Sequence, residues 1–416
     1  MESIAENSFM QKVVYDYLNK NLRLEAKQLG YGDGPNGSAR LRKNLANFVN
    51  TYFHPVEDVR PEQIVASSGV SGIMDQLVWI LCDEGDGILV GKPMYSGFAK
   101  DFEARSRVVP VPVSFGDIDP FSAQALACYE QELMNFNKER PGRRIRAVLL
   151  ASPHNPFGKC YARQTLLAYM RFCEAHDLHL IVDEIYAMSI FKTMFNEGAT
   201  EFHSVLSIPN SGIIDPKRIH VLYGMSKDFS SNGFRIGVVI SHDKRVIEAM
   251  GGLTPFSWPS SPADLAWCIM LEDTAFLEYY LKEHQRRLGE GYEFLAGILD
   301  SLGIDYVRGG NAGFFLWIDL SFALERPVHG GEPGIDEDME LDQKLIRGGV
   351  HLAAGIGYEA EKVGWYRITF TQPRKLLLMG LEKLIRIVKQ TDIKLSAEIP
   401  AECQDSLWGV EERPSL

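Results

Sequence analysis

Residues 63–113 read QIVASSGVSGIMDQLVWILCDEGDGILVGKPMYSGFAKDFEARSRVVPVPV, and this stretch decides the fold class. Short β-branched runs (QIVA, GILVG, VVPVPV) alternate with an amphipathic stretch, SGIMDQLVWILCD, and then a more polar helix. Strands separated by helical segments of this length form a parallel sheet, because each crossover helix returns the chain to the same edge. The alternation continues through IRAVLLAS, the helix RQTLLAYMRFCEAH, and the strands LHLIVDE, HVLYGM and RIGVVIS. The expected architecture is therefore α/β, a large domain built on a mostly parallel central sheet.

Beyond this core, residues 263–302 predict one or two long helices, and FFLWIDL, VHLAA and WYRITF predict strands of a second, smaller α/β domain. FMQKVVYDYLN and SARLRKNLANFVNTYF are helical patterns ahead of the first strand, expected beside the C-terminal region. The expected division is a large domain over 55–285, a small domain from 1–54 and 286–391, and a tail over 392–416. ERPVHGGEPGIDED, rich in Gly, Pro and charge, reads as a surface loop of the small domain. There is no internal repeat or low-complexity tract.

The chain has 416 residues, 45% apolar and 24% charged, enough to bury a large core. A net charge of -12 repels phosphate backbones and anionic membrane faces, so nucleic-acid and membrane partners are not expected. No apolar run approaches the roughly 20 residues that span a bilayer, and the N-terminal MESIAENSFMQKVV has no basic segment followed by an apolar one. Cys82, Cys128, Cys160, Cys173, Cys268 and Cys403 show no paired spacing and read as reduced thiols. A cytoplasmic address is the expectation.

Several motifs carry chemistry. GMSKDFSSNGFRIG places Ser226 and Lys227 eight residues ahead of Arg235 (235 minus 227), a joint pattern more specific than any lone surface lysine or arginine. LIVDEIYA ends a buried-type strand at Asp183, with Tyr186 three residues on. A carboxylate at a strand's C-terminal end points into the ligand crevice of an α/β sheet, although it could equally be a helix N-cap. SSGVSG follows a strand and opens a helix, so Val70 and Ser71 can offer amides and a hydroxyl to a phosphate. PMYSGF holds Tyr95, ASPHNPFGK holds Asn155 in an Asn-Pro turn, and GYGDGPNG holds Tyr31. GWYRITF puts Arg367 in a small-domain strand, where burial without an anion is costly and a substrate carboxylate is the natural partner.

Together these motifs, from IAENSF to the helix after WYRITF, resemble the class I/II aminotransferase family of fold type I pyridoxal 5'-phosphate (PLP) enzymes, and most closely the 1-aminocyclopropane-1-carboxylate synthase-like proteins. The resemblance implies the aspartate aminotransferase-like PLP-dependent transferase fold. It assigns Lys227 to the Schiff base with PLP and then to the α-proton, and Asp183 to the pyridine nitrogen. It gives Tyr186 and Asn155 to the ring oxygen, Tyr95 to stacking on the ring, and Val70, Ser71, Ser226 and Arg235 to the phosphate. Arg367, with Asn155, would hold the substrate carboxylate, and Glu6 would lie near the substrate. Tyr31 would reach the cofactor and substrate of a neighbouring subunit, which implies a homodimer with shared active sites.

The chain departs from the family at three places. Gly224 replaces a Ser or Thr that adds a phosphate contact, AAGIGYE replaces a Pro-Gly turn beside Arg367, and the GDGPNG spacing differs. These bear on substrate more than on cofactor. The implied reaction is chemistry at the α-carbon of an amino acid through a Lys227 aldimine and quinonoid, with elimination or replacement at Cγ of an S-adenosylmethionine-type substrate. Transamination with a 2-oxo acid and C-S lysis use the same residues. A catalytically silent PLP-fold binding protein would have no need to keep them all. A nucleotide-binding oxidoreductase is disfavoured because no GxGxxG follows the first strand.

Overall fold

A computed structural model describes residues 8–325, 332–391, 393 and 395. Its main sheet has seven strands: β1 (Ile64–Ser67), β2 (Gly87–Gly91), β3 (Val109–Val113), β4 (Ile145–Ala151), β5 (His179–Asp183), β6 (Ile219–Gly224) and β7 (Gly237–Ser241). They lie in the order β1-β7-β6-β5-β4-β2-β3, and only β7 runs antiparallel to its neighbours. β1, β6 and β7 are buried at every position, as an apolar strand covered on both faces must be. Alternate residues feed two cores: Leu180 and Val182 face one, Ile181 the other.

The first two helices are α1 (Ser8–Asn21) and α2 (Ala39–Tyr52); α3 (Gly69–Leu81), α4 (Gly97–Glu103), α5 (Leu126–Glu139), α6 (Arg163–Ala175) and α7 (Lys244–Leu253) accompany the sheet. α3 follows from apolar residues at 70, 73, 74, 77, 78 and 81, one stripe of a 3.6-residue period. The expected long helical region is α8 (Ser261–Glu272) and α9 (Thr274–Leu302). α1 and α2 pack there: Tyr17 donates to Asp273 and stacks on Phe276, and Ser38 caps α2 while its hydroxyl donates to Asp264.

A second, antiparallel sheet follows, with β8 (Phe315–Asp319), the two-residue β9 (Ala353–Ala354) and β10 (Trp365–Thr369) in the order β8-β10-β9. α10 (Ile335–Arg347) and α11 (Arg374–Lys389) complete this region. α10 corrects the reading of ERPVHGGEPGIDED as loop throughout, since IDED forms its first turn. Asp336, Glu337 and Asp338 favour the positive end of the helix, and the Glu337 carboxylate accepts the Gly334 N–H at 2.7 Å. Residues 326–331 of that segment, Glu6, Cys403 and all of the expected tail but Ile393 and Leu395 lie outside the described residues. No described helix is long and apolar enough to cross a membrane.

Candidate active site

The C-terminal ends of β5 and β6 and the start of α3, which follows β1, lie at one end of the main sheet, the end where an open α/β sheet binds its ligand. Asp183 ends β5. It is buried, its Oδ1 accepts the Ile185 N–H at 3.2 Å, and turns rather than a helix follow it, so it is not a helix cap. Burial pushes its carboxyl up to about 7, while that N–H and the nearby Lys227 charge hold it down. Lys227 lies three residues beyond β6, its Nζ 5.6 Å from the centre of the Phe314 ring. Tyr186 is buried with its ring edge-on to Phe314 at 5.4 Å and to Phe315 at 5.5 Å.

Arg367 enters from β10, where it pairs with Trp317 on one side and Ala353 on the other. Its side chain is buried over the rings of Phe315 (4.6 Å) and Tyr358 (5.5 Å), and Nη1 donates to Asn155 Oδ1 at 3.0 Å. The Asn155–Pro156 peptide bond is cis. A cleft of about 750 Å³ includes Arg367, Tyr358 and Ser96 in its lining. Apart from that lining, the Phe314 and Phe315 rings link Lys227, Tyr186 and Arg367, Asn155 bonds Arg367, and Asp183 feels the Lys227 charge, so segments from both sheets bring these five residues together.

The turn from β1 into α3 is built by close backbone approach. A Cβ on Gly237 would meet Gly69 C and Val70 N at 2.4 Å, and one on Gly69 (φ +78°) would meet an Arg235 guanidinium nitrogen at 2.4 Å. Arg235 therefore lies over the first turn of α3, whose free amides and dipole favour an anion. The same crowding accounts for Gly224, where a Cβ would lie 2.8 Å from the Ile236 carbonyl oxygen, leaving no room for a hydroxyl-bearing side chain. Gly237→Ala should force α3 away from β7 at a cost of about 1–3 kcal/mol. The expected result is a lower melting temperature and at least ~10-fold weaker PLP retention by titration; unchanged retention would mean the cup is elsewhere.

Three residues play parts that the sequence did not reveal. Asp101 of α4 hydrogen-bonds the Ser71 hydroxyl; burial first and the Asp183 charge second raise its carboxyl to about 7. Ser71 thus already has an acid partner. Phe314 and Phe315, which read as strand core, form the aromatic floor joining Lys227, Tyr186 and Arg367. Tyr95 stands edge-on to Phe98 at 5.3 Å and shares a lining with Asn155. Ser226 lies between β6 and Lys227. Tyr31 is apart from this group: it is 84% exposed and edge-on to Trp258 at 5.3 Å, on a separate groove of about 330 Å³.

The family model for aminotransferase class I and II matches residues 4–384, and the chain belongs to that family. It is 30% identical to "Probable inactive 1-aminocyclopropane-1-carboxylate synthase-like protein 2" of Mus musculus, covering 88% of this chain but only 61% of that protein's length. It is 32% identical to "Probable aminotransferase gliI" of Aspergillus fumigatus (90% and 85% covered) and 30% identical to 1-aminocyclopropane-1-carboxylate synthase 3 of Oryza sativa subsp. japonica (92% and 84%). Among solved structures, a Thermus thermophilus aspartate aminotransferase double mutant superposes with a TM-score of 0.71 at 21% identity, covering 92% of this chain and 89% of that one, which establishes the aspartate aminotransferase-like fold.

The cofactor of this family is PLP, and the residues present fit it: the glycine-lined helix N-terminus under Arg235 would hold the phosphate, Asp183 would meet the ring nitrogen and Lys227 would take the aldehyde. In the apoprotein, Asp183 costs stability. Its folded pKa is raised above the unfolded value, so its contribution is most favourable below pH 4 and is lost as pH rises through about 7. Apo Asp183→Asn should therefore be more stable than apo wild type at pH 8, on the order of 2 kcal/mol, with the difference shrinking at pH 5. Denaturant midpoints at the two pH values check the sign.

Proposed function

We propose that this protein is a PLP-dependent enzyme that removes the α-proton of an amino acid and then expels a leaving group from Cγ, in the manner of a 1-aminocyclopropane-1-carboxylate synthase acting on an S-adenosylmethionine-type substrate. The observation that carries the reading is the grouping of Lys227, Asp183 and the Arg367–Asn155 pair about the Phe314 and Phe315 rings. Arg367 would grip the α-carboxylate with its planar fork and turn the Cα–H bond toward Lys227. The Lys227 amine, displaced by the substrate amine, would take that proton. PLP supplies a ring that accepts the electron pair left at Cα, and Asp183 would hold the ring nitrogen protonated. Retention of all these groups argues against a silent binding protein.

Tyr31, exposed on its own subunit, would complete the site of a second copy in a cytoplasmic homodimer. A second reading is transamination with a 2-oxo acid acceptor, or C-S lysis, favoured by the 32% identity to the gliI aminotransferase relative. Purified protein given S-adenosylmethionine should release methylthioadenosine by mass spectrometry. Glutamate and a new 2-oxo acid from an amino acid plus 2-oxoglutarate would favour the second reading, and no spectral response to any amino acid would remove both.

A further inference from the structure

Behind the cleft lies a buried polar cluster that the chemistry above leaves without a role. Asp228, the residue after Lys227, is fully buried. Its Oδ1 accepts the Ser189 hydroxyl at 2.6 Å; its Oδ2 accepts the Met188 N–H at 2.9 Å and the Tyr223 hydroxyl at 2.9 Å. All three donors are neutral, and burial raises the carboxyl to about 7 against their pull. His284 of α9, also fully buried, sits with Nε2 3.0 Å from Ser189 Oγ. Tyr280 of the same helix donates to Ser230 Oγ at 3.2 Å, on the far side of the lysine loop.

The placement of these bonds is informative. Met188 and Ser189 lie two and three residues past Tyr186, and the Ser189 N–H returns to the Tyr186 carbonyl at 2.9 Å. The Ser189 carbonyl accepts the Gly313 N–H at 2.8 Å, which fixes the approach to Phe314, the ring beside Lys227 Nζ. One carboxylate thus ties together the lysine loop, the Tyr186 turn and the aromatic floor. A buried carboxylate served only by neutral donors is a costly way to make a purely structural joint. Few side chains of this size can accept three donors at once.

We propose that Asp228 is a positioning residue: its buried carboxylate holds the Lys227 loop and the Tyr186 turn at one fixed separation, with Ser189 and His284 as its hydrogen-bonded support. The proposal rests on Lys227 being the cofactor lysine. Misplacement of a reacting group by about 1 Å can cost on the order of 100-fold in rate. The geometry also says which change is tolerated. Asparagine can keep its oxygen on Met188 N–H and Tyr223 while its amide donates to Ser189, which then turns its proton to the His284 tautomer that accepts. Alanine leaves the Met188 N–H and the Tyr223 hydroxyl without their acceptor, and only Ser189 can turn to His284.

The test compares Asp228→Ala, Asp228→Asn, Ser189→Ala and Lys227→Ala after loading with PLP, reading the visible absorbance of lysine-bound cofactor, PLP retention on dialysis, and kcat against KM. Asp228→Ala should lose kcat by ~100-fold with KM within ~3-fold, and retain PLP ~10-fold less well; Asp228→Asn should stay within ~3-fold of wild type in each. Ser189→Ala, which removes one donor and leaves the fold intact, should lower kcat several-fold without moving KM and slow the appearance of the lysine-bound absorbance. Should Asp228→Ala fail to fold, Ser189→Ala decides. Wild-type kcat and absorbance in Ser189→Ala, or a folded Asp228→Ala changed only in melting temperature, overturns the proposal. Wild-type absorbance in Lys227→Ala would instead sink the lysine assignment, whatever the Asp228 variants do.

Discussion

Lys227→Ala should abolish covalent attachment of PLP and lower kcat by at least ~10⁴-fold, since in the proposed reaction one side chain would supply both the nucleophile and the base and each role is worth roughly 10²–10⁴. Borohydride treatment followed by peptide mapping should label Lys227 in the wild type and nothing at that position in the variant. Noncovalent binding should survive in part, because the cup at Gly69, Val70 and Arg235 does not involve the lysine. The fold should survive as well: Lys227 is only half-buried, and its amine lies 5.6 Å from a ring rather than inside the packed core. A labelled peptide containing another lysine would move the chemistry elsewhere in the cleft. A variant with full activity would end the assignment.

The main sheet was legible because each of its strands is a short apolar run bounded by turn residues, and period and punctuation are local properties. The motif around Lys227 was legible only as a spacing; that Arg235 lies over the first turn of α3 comes from the fold. Phe314 and Phe315 were not legible as site residues. In AGFFLWIDL they look like any strand core, and their role appears only when β8 pairs with β10 and sets Phe315 against Arg367, 52 residues away by number (367 minus 315). Asp228 was hidden for the same reason, since its partners at 188 and 189 come from the turn after β5. Gly224 was read as a missing hydroxyl, a chemical loss; the cause is a backbone carbonyl 2.8 Å from where its Cβ would stand, which no local pattern announces. α10 was missed because the Gly- and Pro-rich run before it outweighed an acidic first turn.

Arg367→Lys should raise KM for an α-amino acid by about 30- to 1,000-fold, because a lysine cannot offer the paired, planar donors that match a carboxylate, and such charge-assisted bonds are worth about 2–4 kcal/mol together. The structure limits where the effect should appear. Arg367 sits between the Phe315 and Tyr358 rings and donates to Asn155, whereas the proposed phosphate cup lies at α3, β7 and Arg235. PLP retention should therefore stay within ~2-fold, and the protein should lose only about 1 kcal/mol of stability from the weakened contact with the two rings. Asn155 connects the two ends, so a small shift in the cofactor's absorbance maximum is expected along with the KM effect. The decisive comparison uses an amino-acid amide, which keeps the α-amine and lacks the carboxylate. Wild type and variant should process it with similar, low kcat/KM, because the group that Arg367 reads is absent. An amide that suffers as much as the parent amino acid would mean that Arg367 acts on something other than the carboxylate.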